Sequence, residues 1–438
     1  MDQARPSAPH RRVSRGQSKK LILEFATLGR LEHMKAGASL IPRTQQAAQS
    51  ETRHNFRHLR VFLAVVDTSS VTKAAEACHV SQPAVTQALA KIERKLGMSL
   101  FSRTSNGLFV NRHGEAFAKR VRRTFELIDP ILSGINPRLC ITVTTAQLEA
   151  LIAVHETQNF TLAARRLHLA QPTVHRAITQ LEDASERKLF ERTAYGIIAT
   201  RMTVQLAQAA RLAFAELEQA EADVADTVSE ETGRVVIGGM PLSRSYILPK
   251  AIAKFRALRP KTLIQIVEGP YVDLLSALRR GEIDFLIGAL RLPTPIDDVE
   301  QRVLFTDTLA LIAGSEHPLM RQGSVTVQDL ARYPWIVGNR ETPIRQHFDR
   351  LFEDAGCAPD SLIESSSLVL MRELLLSTEH LGCISYLQAQ AELARGFLKQ
   401  LPLDLSHTER PIGLTVRKNW MPTAAQQQFI DLVAAHQS

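Results

Sequence analysis

Residues Ser81–Leu96, SQPAVTQALAKIERKL, decide how this chain reads. Val85, Leu89, Ile92 and Leu96 recur at steps of four, three and four, which lines them along one face of a helix. Ser81 stands where a hydroxyl caps an orphan backbone N–H, and Pro83 falls in the first turn, where a missing N–H costs little. The opposite face carries Gln82, Thr86, Gln87, Lys91 and Arg94. Such side chains suit the major groove of double-stranded DNA, where Gln pairs with adenine and Thr reaches a base edge or a thymine methyl. A core helix with a solvated polar face is the competing reading.

Working outward, Thr72–Ala77 (TKAAEA) reads as a short helix capped by Thr72, joined to the first by the tight Cys78-His79-Val80 connection. That makes a helix-turn-helix. Leu100–Val110 follows, and its Asn106-Gly107 pair favours the turn of a two-stranded wing. The whole stretch TKAAEACHVSQPAVTQALAKIERKLGMSLFSRTSNG resembles the winged helix-turn-helix of LysR-type transcriptional regulators. Asn55–Asp67 supplies a preceding helix, and Glu115–Ile128 a following one that Asp129-Pro130 should end or bend.

Sliding the sequence against itself by 89 positions aligns Leu59–Arg112 with Leu148–Arg201 without a gap, and 19 of 54 residues are identical. This internal repeat looks like a second winged helix-turn-helix. Its outward residues are Gln171, Pro172, Thr173, His175 and Arg176. Ala170 replaces the capping serine, and Ser185-Glu186 replace Leu96-Gly97, so the second copy should be the weaker. Arg103 and Arg192 hold matching places in the two wings, where they can donate to phosphates or be held by a local carboxylate. Thr72–Arg123 has ten Lys or Arg against three acids, and Thr161–Arg211 eight against four, which concentrates positive charge where nucleic acid would bind. DNA contact by the second copy competes with a role in spacing or dimer packing.

From Thr203, Leu206, Ala210, Ala213, Leu217, Ala220 and Val224 alternate steps of four and three, a coiled-coil seam. By resemblance this is the family's linker helix, through which two subunits associate as a homodimer or homotetramer. Packing on its own domain is the alternative. After Gly233 the pattern changes to alternating strands and helices. The resemblance implies a two-lobed α/β effector domain similar to type 2 periplasmic binding proteins, with an effector, an anion by preference, held between lobes at helix N-termini. Three stretches point there and supply the candidates Leu242, Ser243, Pro270, Tyr271, Thr342 and Arg345. Leu242 and Pro270 replace the small hydroxyl residues frequent in the family.

The fold class is therefore multidomain: a basic tail (1–54) expected to be disordered, winged helix-turn-helix domains over 55–135 and 144–202, a linker helix (203–232) and an effector domain (233–438). Lobe 1 is expected over 233–292 and 406–438, lobe 2 over 293–405. Met34 stands as an alternative start. The formal charge of +8 admits an acidic partner. No apolar run reaches the ~20 residues needed to cross a bilayer, and no secretory signal is evident, which places the chain in the cytoplasm with no membrane partner. Cys78, Cys140, Cys357 and Cys383 have no metal-ligand spacing and read as reduced thiols. A redox pairing of Cys357 with Cys383 competes, but Cys383 lies in an apolar strand. No nucleophile elbow, phosphate loop or zinc-helix His pair occurs, so neither catalysis nor a cofactor or metal is expected. A small-molecule-controlled, DNA-binding transcriptional regulator is the leading reading. An architectural DNA-binding protein with a silent sensor, or a solute-binding module with vestigial DNA-binding domains, are the alternatives.

Overall fold

Asn55 starts the first helix by accepting the backbone N–H groups of Arg57 and His58 on its side chain. In the computed structural model, which describes residues 54–104, 107–194, 196–228 and 233–435, helix α1 runs Phe56–Thr68. The tail expected over 1–54 lies outside the described residues, His54 excepted. Helix α2 (Val71–Ala77) is capped by Ser70, which accepts from Lys73 N–H at 3.3 Å. Thr72 is inside the helix, two residues too late to cap it. Helix α3 (Gln82–Leu96) starts at Ser81, whose Oγ accepts from Ala84 N–H at 3.4 Å, and stops at Gly97 with φ of 71°. Strands β1 (Phe101–Thr104) and β2 (Gly107–Val110) pair antiparallel. Two of their turn residues, Ser105 and Asn106, lie outside the described residues, while Gly107 adopts φ of 143°, a conformation that suits glycine.

Helix α4 runs Arg112–Ile135, continuing past the proline expected to end or bend it. Pro130 is exposed, so the carbonyl it leaves unpaired faces water, while Ile128 and Leu132 are buried on the opposite side. Arg60 clasps the adjoining Asp129 through both guanidinium nitrogens, at 2.6 and 3.0 Å. Packing and this ion pair outweigh one lost hydrogen bond.

After one turn of helix at Leu139–Thr142 the same order of elements returns: α5 (Thr145–Thr157), α6 (Phe160–Leu167), α7 (Gln171–Ser185), β3 (Phe190–Thr193), β4 (Gly196–Ala199) and α8 (Arg201–Asp226). Contacts repeat at the 89-residue offset. Glu93 accepts from Leu100 N–H at 2.8 Å and Glu182 from Leu189 N–H at 2.9 Å. Arg122 pairs with Asp67, and Arg211 with Glu156. The second set lacks a side-chain cap at Ala170 and turns out of α7 through Glu186 at φ of 54°, a strained place for a residue with a Cβ. Ser185 offsets part of that by burying its hydroxyl and donating to the carbonyls of Glu182 and Arg187.

Glu182 supplies a pH test. Partial burial raises its carboxyl, but the Lys188 ammonium and the N–H groups of Leu189 and Phe190 outweigh that and hold it below its ordinary value of 4.5. Its stabilisation is thus complete above the unfolded value and lost as pH falls through the lower folded one. Glu182→Gln is expected to cost about 1 kcal/mol at neutral pH. The difference between wild type and variant should vanish on acidification in denaturant melts; a pH-independent difference would refute the assignment.

The seam on α8 is buried within the single chain: Leu206, Ala210, Ala213, Leu217, Ala220 and Val224 all lie in the core, and α8 packs along α4. This corrects the expectation that the seam is left for a second subunit. Arg120 of α4, 1% exposed, bonds Glu216, Gln219 and Asp223 of α8 at 2.7–2.9 Å. The fourth contact of Arg120 reaches the carbonyl of Met421 in the C-terminal region at 2.7 Å.

That region holds two five-stranded sheets. The first has the order β6-β5-β7-β14-β8, built from β5 (Arg234–Gly239), β6 (Leu263–Val267), β7 (Phe285–Ala289), β8 (Val299–Asp307) and β14 (Arg410–Arg417). Helices α9 (Leu248–Leu258), α10 (Tyr271–Arg279) and, at the chain's end, Ala424–Ala434 belong to it. The second has the order β11-β10-β12-β9-β13, from β9 (Leu309–Gly314), β10 (Pro334–Val337), β11 (Ser361–Glu364), β12 (Leu381–Ser385) and β13 (Leu398–Gln400). Strand β8 corrects the expected lobe boundary. Residues 299–307 pair with β14 in the first sheet, so the chain crosses at Thr308 rather than near Leu290–Pro295. The return crossing meets it, because Arg410 is in register with Asp307.

Candidate nucleic-acid interface and effector cleft

Pro83 and Pro172 sit in the first turns of α3 and α7, and each helix turns its apolar residues inward. Val85, Leu89 and Ile92 are buried, as are Val174, Ile178 and Leu181. What remains outside is the expected set: Ser81, Gln82, Pro83, Thr86, Gln87 and Lys91 on the first helix, Gln171, Pro172, Thr173, His175 and Arg176 on the second, all exposed. Thr86 Oγ1 donates to Gln82 O at 3.2 Å, so the hydroxyl is partly engaged by its own helix. The His175 ring leans on Phe160 with centroids 5.2 Å apart, which narrows its freedom to reach a base. Arg103 and Arg192 are exposed on β1 and β3, and no carboxylate among the described residues pairs with either. The local-carboxylate reading of these two arginines loses its partner.

Between the two sheets lies a cleft of about 80 Å³, open at its mouth. Of the six candidates, Leu242 and Thr342 line it. Thr342 also caps α12 (Pro343–Asp354, counting the short Val327–Ala331 helix as α11), accepting from Arg345 N–H at 3.3 Å. The other four do not line the cleft. Ser243 is buried and donates to Met240 O at 2.7 Å, closing a turn. Pro270 is an exposed helix cap, and Tyr271 is half-buried beneath the Arg291 guanidinium, 4.5 Å from its centroid. Arg345 is spent on Asp349 and Glu364, each at 2.7 Å, an internal staple between α12 and β11.

Thr342 apart, the cleft's polar groups come from residues the sequence reading passed over. Ser365, Ser366 and Ser367 lead into helix α13 (Leu368–Ser377), and Gln388 and Arg410 join them. Apolar walls are formed by Met240, Leu242, Ile344, Met371, Ile384 and Ile412. Arg410 is 6% exposed and donates Nη2 to Asp307 at 2.8 Å, while its Nε and Nη1 find no partner among the described residues. Asp307 also accepts from Ser385 Oγ at 2.5 Å and Leu387 N–H at 3.1 Å. Burial pushes the Asp307 carboxyl up, against the pull of Ser385 and Arg410. Cys383 lies in the wall, its thiol pushed up to about 12 by burial. It stays protonated, which argues against the redox pairing with Cys357. All four cysteines are free thiols.

Residues 229–438 match the LysR substrate binding domain, and residues 56–115 and 145–204 each match the bacterial regulatory helix-turn-helix protein of the lysR family. The chain belongs to the LysR family of transcriptional regulators. This LysR-family chain is 32% identical over 375 residues to the HTH-type transcriptional regulator GalR of Pseudomonas putida, covering 85% of this chain and 94% of GalR. That span exceeds everything from Thr145 onward, so the likeness extends into the first set of helices. It is 29% identical over 283 residues to PcaQ of Agrobacterium fabrum, covering 63% of this chain and 89% of PcaQ. Full-length OxyR of Pseudomonas aeruginosa is a solved structure that it resembles, at a TM-score of 0.48 and 21% identity over 67% of this chain and 94% of OxyR. Like its family, this LysR-type regulator joins a DNA-binding helix-turn-helix region to an effector-binding domain. Among the described residues no helix is long and apolar enough to cross a membrane.

Proposed function

We propose that both sets of helices act as winged helix-turn-helix domains on double-stranded DNA, each reading bases through its third helix, α3 or α7, and that an acidic small molecule in the cleft controls them. The division proposed is a first DNA-binding domain over 55–135, a second over 144–202, a connecting helix, and an effector domain beyond Gly233. The single observation that carries it is the repeated presentation of one exposed polar face, at α3 and again at α7, on helices whose other faces are buried. The cleft supports the control half of the reading. Its walls are apolar and its buried cation has two unused donors, which suits a small apolar body bearing a carboxylate. The chain then works without chemistry of its own, on chromosomal DNA in the cytoplasm. Ligand closing the cleft would favour one arrangement of the lobes and thereby change the placement or bend of DNA.

DNA-binding assays on duplexes selected by the full chain from a random pool test this. Arg103→Ala should weaken binding to all sequences alike and reduce the magnitude of the slope of log affinity against log salt by about one. Gln87→Ala should instead cost about 1–3 kcal/mol at one base position and leave the salt slope nearly unchanged. Absence of any salt-dependent DNA binding by the wild-type chain would sink the proposal.

A further inference from the structure

The two sets of helices meet each other through reciprocal contacts. Lys95, at the end of α3, pairs with Glu221 of α8 at 2.7 Å. Ala184 holds the equivalent place at the end of α7, and its carbonyl accepts from Asn136 at the end of α4 at 3.1 Å. Each recognition helix thus leans on the long helix of the other set. The long helices run in opposite directions, since His113 at the start of α4 meets Thr227 just past the end of α8, and Arg120 meets Gln219 further in. At the centre Phe56 packs against Phe125 and Phe214 alike, with centroids 5.7 and 5.8 Å away. Those two phenylalanines are themselves 89 positions apart. Equivalent residues at the crossing and exchanged contacts on either side are the signature of an isologous, two-fold interface. Here both halves of the interface belong to one polypeptide.

We infer that a single chain reads both halves of one inverted repeat in DNA, and that the two half-sites are unlike. This rests on the reading that both sets contact DNA. Heads related by a two-fold axis match half-sites in inverted orientation, as operator symmetry mirrors protein symmetry. The outward residues nevertheless differ: Thr86 and Gln87 on α3 are replaced at the equivalent places by His175 and Arg176 on α7. Glutamine matches adenine and arginine matches guanine in the major groove. The first set therefore takes an adenine-bearing half and the second a guanine-bearing half. Arg120, buried between α4 and α8, fixes the pair as one unit, so the orientation of one head sets that of the other.

The test uses the full chain and duplexes it selects from a random-sequence pool. The expected consensus is an inverted pair of unequal half-sites, with Gln87→Ala relaxing one half and Arg176→Ala the other, each by about ten- to a hundred-fold in affinity. Turning one half-site round into a direct repeat should lower affinity by a comparable factor. The decisive arm co-expresses the two single variants. Both heads of a pair lying in one chain means the mixture binds no better than either variant alone. Recovery of wild-type affinity by the mixture shows that two chains supply one pair and overturns the inference. So does a consensus of identical halves that Arg176→Ala leaves unchanged, with Gln87→Ala still impairing binding. A wild-type chain with no salt-dependent selection of any duplex fails earlier, and takes the DNA-binding reading with it.

Discussion

Replacing Arg410 with methionine is expected to cost the effector cleft its affinity for carboxylates, by about ten- to a hundred-fold, and to weaken the domain. Arg410 lines a cleft with apolar walls, and its Nε and Nη1 have no hydrogen-bond partner among the described residues to repay their desolvation. An incoming carboxylate would make charge-assisted hydrogen bonds there, about 1.5–3 kcal/mol each. Calorimetric titration of benzoate, an apolar ring bearing a carboxylate offered to a cleft lined by Leu242, Met371 and Ile412, reads this loss. Stability falls for a separate reason. Asp307, 4% exposed, loses the one salt-bridge partner it has among the described residues, and breaking a buried pair in this way costs about 3–5 kcal/mol. Adding Asp307→Asn to Arg410→Met should recover much of the stability and none of the benzoate affinity. Undiminished benzoate binding in Arg410→Met would remove this arginine from the ligand's reach.

Arg120→Met should be comparably costly, in the other half of the molecule. The guanidinium stands between Glu216, 6% exposed, and Asp223, whose carboxyl burial already pushes upward against the pull of Arg120. Removing the cation leaves both acids without it, at about 3–5 kcal/mol in denaturant unfolding. The bond to Met421 goes too, and with it a direct tie between α4 and the effector domain. Effector-dependent change in DNA affinity should therefore shrink even where the protein remains folded. Combining Arg120→Met with Glu216→Leu should return part of the stability, because it removes one of the two carboxylates left without the cation and leaves Asp223. A single variant within 1 kcal/mol of wild type would mean that this buried network contributes little.

Much of the DNA-binding half was legible because its signals are local. The step of four and three that buries Val85, Leu89 and Ile92, and the Ser81 cap, depend on neighbours a turn away. The effector half depends on partners far along the chain. Arg410 reads in sequence as a polar residue before a proline; only register with Asp307, across the first sheet, buries it in the cleft. Ser365–Ser367 read as loop for the same reason. Strand β8, VEQRVLFTD, lacks a clean alternation because its two faces meet different surroundings along its length, and so it escaped a period-two reading. Conversely, Arg345, singled out for its place just after Thr342 and Pro343, is held away from the cleft by Asp349 and by Glu364, a partner far along the chain. Pro130 shows the limit of local rules in the other direction, since tertiary packing carried α4 on through a residue expected to end or bend it.

The pairing of α4 with α8 has a consequence for dosage. Two helices that meet within one polypeptide have no dissociation constant of their own: the arrangement follows from folding, at any cellular abundance. A pair of heads assembled from separate subunits thins out as the square of concentration when the protein is scarce. Heads joined in this way would occupy DNA in simple proportion to the number of chains, so that a cell holding few copies loses occupancy gradually instead of abruptly.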